Sequence, residues 1–157
     1  SQIGGIPENS ILCKPQVVST GLPFPIVLVD TLETLQKVTI DYQALDKFRA
    51  TSSENDLMEP FWVCLSSPRE NGITFSRLLL QSGGRSEDPF TGSATGAMAA
   101  YLWDNGLIQE PTFTAHQGDF LGRPGEAEVE VLGRIGNISG VKVTGSAYIL
   151  MTGKLKI

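Results

Sequence analysis

One segment near the middle of the 157-residue chain gathers the residue types best suited to chemistry: Gly83-Gly84-Arg85-Ser86-Glu87-Asp88-Pro89-Phe90-Thr91-Gly92-Ser93-Ala94. Two carboxylates stand in a loop, and Gly-Ser-Ala follows where an alanine-rich run begins. The first amides of a helix lack intrahelical partners and point outward, and the helix dipole favours negative charge there. Gly92 lets a ligand approach the backbone closely, and the Ser93 hydroxyl adds a donor. Asp88 is placed to accept a hydrogen bond from a substrate amine or hydroxyl, or to relay a proton. The plainer reading is a capped helix preceded by solvated acids, and local chemistry leaves both open. The segment is not a P-loop, because no Gly-Lys-Ser/Thr follows, and it has no Gly-x-Gly-x-x-Gly dinucleotide fingerprint.

The elements that must position these residues are legible around them. Residues 93–105 read SATGAMAAYLWDN, which predicts a helix capped by Thr91 or Ser93 and stopped at Gly106. Almost every position from Ala94 to Trp103 is apolar or small, so this helix is expected to be enclosed on most sides. Gly96 weakens it by about 1 kcal/mol, with close packing as the compensation. Residues 17–18, 24–29, 61–65, 73–80 and 112–116 are predicted strands. Pro25 implies an edge or an irregular start. Residues 126–134 and 140–144 alternate apolar with polar, and Ala147, Ile149 and Met151 predict one face of a last strand. A short helical turn is expected over 33–40 and a helix capped by Asp41 over 41–49. Residues 51–56 and most of 81–92 read as polar loop. The fold class is α+β: a curved, mostly antiparallel β-sheet or barrel wrapped around a central α-helix.

Composition narrows the function. Seventeen acids against twelve bases give a net charge of −5, which argues against a nucleic-acid partner. No apolar stretch is long enough to span a bilayer, and no signal peptide is evident, so no membrane partner and a cytoplasmic location are expected. Cys13 and Cys64 are far apart in sequence and, with the lone His116, supply too few ligands for structural zinc. Two ordinary thiols in a reducing compartment are expected, with a single disulfide as the alternative.

The run Glu87-Asp88-Pro89-Phe90-Thr91-Gly92-Ser93-Ala94, with Ala99-Ala100-Tyr101-Leu102 behind it, resembles the C-terminal lobe of the phenazine-biosynthesis PhzF-like family. That family usually carries Glu-Asp-Pro-Ala-Thr-Gly-Ser-Ala there. Gln117-Gly118 with Gly122-Arg123-Pro124, Ser19-Thr20-Gly21, and Val143-Thr144-Gly145-Ser146-Ala147 with Gly153 extend the resemblance in order along the chain.

The resemblance implies the diaminopimelate epimerase fold: two similar lobes, each a curved sheet around a central helix, with the active site between them. Its best-understood member isomerises a dihydro-hydroxyanthranilate by moving a proton. The matching catalytic positions here are Asp88 and Ser93, with Thr91, Gly92, Ser93, Ala94, Thr20 and Gly21 as substrate-binding positions. No cofactor and no metal are implied. That member's general acid/base is a glutamate of the N-terminal lobe, and a Gly-His-Pro/Ala-Thr type of motif belonging to the family's N-terminal part is missing here. Residues 1–157 are therefore expected to be a single C-terminal lobe without its N-terminal lobe. The expected partners are a small carboxylate-bearing metabolite and either an N-terminal lobe polypeptide or a homo-oligomer. Where the related epimerases place a catalytic cysteine, this chain has Thr91, so two-thiol racemisation is not expected. Arg77 is either an ion-pair partner or a ligand contact, and Phe90 either narrows the pocket or packs. The two functional expectations are an isomerase lobe acting by cofactor-independent proton transfer, and a non-catalytic small-anion-binding or protein-interaction module that has lost the catalytic half.

Overall fold

The computed structural model describes residues 1–52, 57–81 and 87–155. Residues 53–56 of the expected polar loop, and Gly83, Gly84, Arg85 and Ser86 of the glycine-rich segment, lie outside the described residues.

The apolar run in β2 (Pro23–Val29) decides the layering. Phe24, Ile26 and Leu28 enter one buried cluster, while Val27 and Val29 enter another. Successive strand residues point to opposite faces, so a strand apolar on both is one covered on both sides. β1 (Gln16–Ser19) pairs antiparallel with it. The chain then crosses through α1 (Leu32–Lys37) and α2 (Tyr42–Thr51) to β3 (Phe61–Cys64), which lies parallel to β2. Asp41 caps α2 as expected, its carboxylate accepting from the Ala44 amide at 3.0 Å. β2 is thus an interior strand, which corrects the expectation of an edge. Its ladder to β3 begins at Ile26, one residue after Pro25, so the missing N–H costs no bond there.

β4 (Gly72–Leu79) runs antiparallel to β3, and the two-residue β5 (Glu87–Asp88) pairs with its end. After α3 (Gly92–Asp104) come β6 (Thr112–Gln117), parallel to β4, then β7 (Gly125–Arg134) and β8 (Asn137–Thr144) in antiparallel sequence. The sheet order is β1-β2-β3-β4-β6-β7-β8, with β5 beside β4. The sheet curves around α3, as the sequence predicts. Ala94, Thr95, Gly96, Ala97, Met98 and Ala99 are all buried. A side chain at Gly96 would place its Cβ 3.0 Å from Thr20 Oγ1 and 3.7 Å from Val143 Cγ2, which is the close packing that its cost implies. Gly106, at φ +64°, provides the left-handed stop. No helix of the described residues is long and apolar enough to cross a membrane.

The expected last strand is absent. Residues 145–155 take no regular structure, and Tyr148, Ile149, Leu150 and Met151 are 86–96% exposed. The period-two pattern is present in the sequence, but no described strand lies beside this segment to pair with it.

On the sheet's outer face, Leu35 and Val38 pack on Val27, Trp62, Cys64 and Phe75. Both cysteines are free thiols, and burial pushes the Cys64 thiol up. Arg77 of β4 is buried on this face. Its Nε and Nη2 donate to the two Glu87 oxygens at 2.9 and 2.7 Å, and its Nη1 donates to the carbonyls of Leu35, Gln36 and Val38 at the end of α1. Arg77 is therefore an ion-pair partner and not a ligand contact.

His116 of β6 is enclosed, as a core strand residue, and its Nδ1 shares a hydrogen bond of 2.6 Å with Ser67 Oγ. Burial, and then the Arg69 charge, pull its pKa below the ordinary histidine range, against weaker opposite pulls from Glu126 and Asp119. A histidine depressed in the folded state binds fewer protons folded than unfolded. Its contribution to stability is full above the unfolded value and declines as pH falls from there toward the folded value.

Two outcomes follow from these buried groups. Arg77→Met leaves the Glu87 carboxylate buried and unpaired, and denaturant unfolding should show a loss of about 3–5 kcal/mol. The double variant Arg77→Met/Glu87→Leu should lose less than the single one. Unfolding midpoints taken from pH 7.5 down to pH 5 should fall, and in His116→Gln that slope should be shallower.

Candidate functional site

Thr91 stands at the N-cap position of α3, but its side chain does not cap the helix. Its hydroxyl donates instead to Asp88 Oδ2 at 2.7 Å. The expectation that Thr91 or Ser93 caps the first turn is corrected: among the described residues no side-chain cap bond is made from the N-cap, and the threonine hydroxyl is held by Asp88. Gly92 and Ser93 are exposed, and nothing lies within 4 Å of the position a Cβ on Gly92 would take. Among the described residues the start of α3 therefore has no side-chain cap from its N-cap residue, and Gly92 and Ser93 are exposed at the positive end of a 13-residue helix. Ala94 is fully buried, so the exposed residues at the helix start are Gly92 and Ser93.

Asp88 is half-buried and follows Glu87, whose carboxylate is locked onto Arg77. Alternation along β5 sends Glu87 to the outer face and leaves the next side chain on the side of the helix start. The turn between Asp88 and Thr91 is held by Gln117, which is fully buried at the end of β6. Gln117 Nε2 donates to the Asp88 carbonyl at 2.8 Å and to Thr91 Oγ1 at 3.3 Å, and its Oε1 accepts from the Thr91 amide at 3.0 Å. One amide side chain thus fixes both ends of the turn. Thr95 completes the network by donating to the Thr91 carbonyl at 2.8 Å. Gly118 follows at φ +89°, and any side chain there would strike the carbonyls of Pro89 and Arg123. Phe90 packs on Gly125, whose Cβ position would lie 2.8 Å from the ring, so the phenyl group serves the turn's packing.

Thr20 reaches the same place from the turn between β1 and β2, its hydroxyl directed at the Ser93 carbonyl at 3.5 Å. Gly21, exposed at φ +145°, lets that turn reverse, its amide donating to Ser19 Oγ. The structure thus brings Asp88, Thr91, Gly92, Ser93 and Thr20 together at one end of α3, with Gly21 adjoining through the Thr20 turn. Arg123 is an exposed turn residue whose amide donates to the Gly118 carbonyl. Neither thiol takes part: Cys64 is on the outer face, and Cys13 lies near Tyr101 in the far half of α3. A groove of about 800 Å³ between residues 1–3 and α2 touches none of these residues. Gly92 and Ser93 thus face solvent.

Sequence reasoning assigned Gln117 no role. The signal was its place in the Gln117-Gly118 match at the end of a predicted strand, where a buried amide must find partners. Removing it tests the network. Gln117→Leu leaves the Thr91 amide and the Asp88 carbonyl without partners, and unfolding should show a loss of about 1–3 kcal/mol. In the same variant the Thr91 amide resonance should lose its protection from exchange.

Comparison with known proteins places this geometry. Residues 6–153 match the family described as phenazine biosynthesis-like protein, PhzC-PhzF. An uncharacterized isomerase of Clostridium acetobutylicum is 30% identical over 149 residues, covering 90% of this chain and 47% of the relative. The uncharacterized isomerase YfhB of Bacillus subtilis is 30% identical over 152 residues, covering 97% and 44%. This chain thus spans about half the length of the curated relatives it matches. Among solved structures, a predicted epimerase of Pseudomonas aeruginosa superposes with a TM-score of 0.59 at 30% identity, over 96% of this chain and 50% of that one. A Bacillus anthracis phenazine biosynthesis protein of the PhzF family, at 21% identity, shares the fold with a TM-score of 0.65 over 95% and 53%. An uncapped helix enclosed by a curved sheet, the Glu-Asp-Pro-x-Thr-Gly-Ser-Ala turn at its start, and a match over nearly the whole chain agree: the chain belongs to the phenazine biosynthesis-like PhzC/PhzF family.

Proposed function

We propose that this chain is the C-terminal lobe of an isomerase that moves a proton on a small carboxylate-bearing metabolite, without metal or organic cofactor. The observation that carries the reading is the uncapped start of α3, with Gly92 and Ser93 exposed and Asp88 fixed beside them. The exposed amides of Gly92 and Ser93 hold the substrate anion, and the Ser93 hydroxyl adds a donor. Asp88, its turn set by Gln117, accepts from a substrate amine or hydroxyl and shares a proton. Thr20 lines the same opening. The remaining acid/base group comes from a second lobe, which also excludes water from the cleft.

One observation favours a second reading. Among the described residues, the side chains hydrogen-bonded to Asp88 are those of Thr91 and Gln117, and neither is a base at neutral pH. A chain that worked alone would bind an anion here without moving a proton.

Binding and chemistry are tested separately. Titrating benzoate into the labelled chain should shift the Gly92, Ser93 and Ala94 amide resonances saturably. Ser93→Ala should weaken that binding roughly 5-fold, the worth of about one hydrogen bond. In deuterated solvent, the complex with a second lobe should exchange a substrate carbon-bound proton, and Asp88→Asn should slow this by about 10²–10⁴. Saturable binding with no exchange in the complex would leave the anion-binding module; no shift at the α3 amides would remove both readings.

A further inference from the structure

The turn over residues 87–91 rests on one segment, residues 118–125. A Cβ on Gly118 would fall 2.5 Å from the Pro89 carbonyl oxygen, and one on Gly125 would meet the Phe90 ring at 2.8 Å. The Arg77 guanidinium, whose fork holds Glu87, lies over the Phe120 ring, 5.7 Å from its centroid. The segment thus touches the turn directly at Pro89 and Phe90 and, through Arg77, at Glu87. Gln117, which ties Asp88 to Thr91, immediately precedes it.

This segment has little rigidity of its own. It is a single 3-10 turn (Asp119–Leu121) between glycines at φ +89° and +65°. Its internal bonds run from the Leu121 and Arg123 amides to the Gly118 carbonyl, at 3.0 and 3.1 Å, and from the Gly122 amide to the Asp119 carbonyl. So short a turn, flanked by the residue type with the widest backbone freedom, has to be fixed from outside.

Arg69, in the connection between β3 and β4, supplies that fixing. Its Nε lies 2.8 Å from Asp119 Oδ1, its Nη2 donates to the Gly125 carbonyl at 2.6 Å, and its Nη1 donates to Glu126 Oε2 at 3.3 Å. One planar group therefore grips the segment near its start and at its end. The connection carrying Arg69 is itself tied down: Ser67 Oγ accepts from the Arg69 amide at 3.2 Å and shares a bond of 2.6 Å with His116 Nδ1, one residue before Gln117. Among the described residues, the Arg69 side chain bonds only to this segment and to Glu126, and to no residue at the start of α3.

We propose that Arg69 is a positioning residue for the site at the start of α3. By clamping residues 119–125 to the sheet, it fixes the surface on which Pro89 and Phe90 rest, and so sets the turn between Asp88 and Thr91. The inference rests on the reading of the α3 start as an anion site.

The test is Arg69→Met in the labelled chain, at a temperature where the variant is fully folded. The Gln117 side-chain amide resonances and the Thr91 amide should move, while the Ile26 and Leu28 amides of β2 stay in place. Benzoate affinity should fall about 10-fold as the turn loses its pre-organisation. Arg69→Lys keeps the charge but replaces the fork with a single point, so it should show the same movements and an affinity loss of roughly 3-fold. That second variant decides the matter if Arg69→Met does not fold. A lower unfolding midpoint with the Gln117 and Thr91 resonances and the benzoate affinity unchanged would make Arg69 merely structural and overturn the proposal. An Arg69→Lys chain indistinguishable from the unaltered one would assign the effect to charge and not to the clamp, and would overturn it too. If the unaltered chain binds no benzoate, the anion-site reading falls, and the Gln117 and Thr91 resonances still decide whether Arg69 sets the turn.

Discussion

The buried pair of Arg77 and Glu87 ties three parts of the molecule to one point. Arg77 belongs to the sheet, its Nη1 collects the carbonyls at the end of α1, and its other nitrogens grip Glu87 in a two-bond fork. Charge taken out of water is tolerable only where partners replace the water, and here each nitrogen of the fork finds an oxygen. β5 exists as two residues on the margin of β4. A strand that short has little stability of its own, so the ion pair fixes where it lies. Because side chains alternate along a strand, fixing Glu87 on the outer face also settles the side on which Asp88 emerges.

From Asp88 the constraint passes to the start of α3. Thr91, which in an ordinary helix would turn its hydroxyl inward to cap the first turn, is drawn to the Asp88 carboxylate, and Gln117 holds both ends of the turn between them. The fold thus spends a natural cap on a neighbouring carboxylate and leaves the first amides open. Uncapped amides are a small cost to stability and a gain only if something anionic uses them. The enclosing sheet makes the same point from the other side. It buries α3 along its length while leaving Gly92 and Ser93 exposed at the end where Thr20 and the end of β8 also arrive.

The opening faces solvent, and the segment following β8 is apolar on both faces without a sheet around it. Both features sit at the same end of the molecule. The chain spans about half the length of the relatives it matches.

The sequence by itself determined the enclosed helix, because a run of alanines and small residues with no polar face has no stable position except inside. It determined the alternating strands β7 and β8 and the left-handed stop at Gly106, each a local rule read from residue type and spacing. It placed Asp88, Thr91, Gly92 and Ser93 near one another because they are near in the chain. Tertiary structure alone decided that Thr91 would serve Asp88 and not the helix, since that depends on Gln117, 26 residues further along, reaching back beneath the turn. It decided that Arg77 would be sealed against α1, a contact about 40 residues distant. It also decided that residues 145–155 would not complete the sheet. Period-two alternation states that a residue pattern suits a strand, but a strand forms only where a neighbour offers its edge and a core covers its faces.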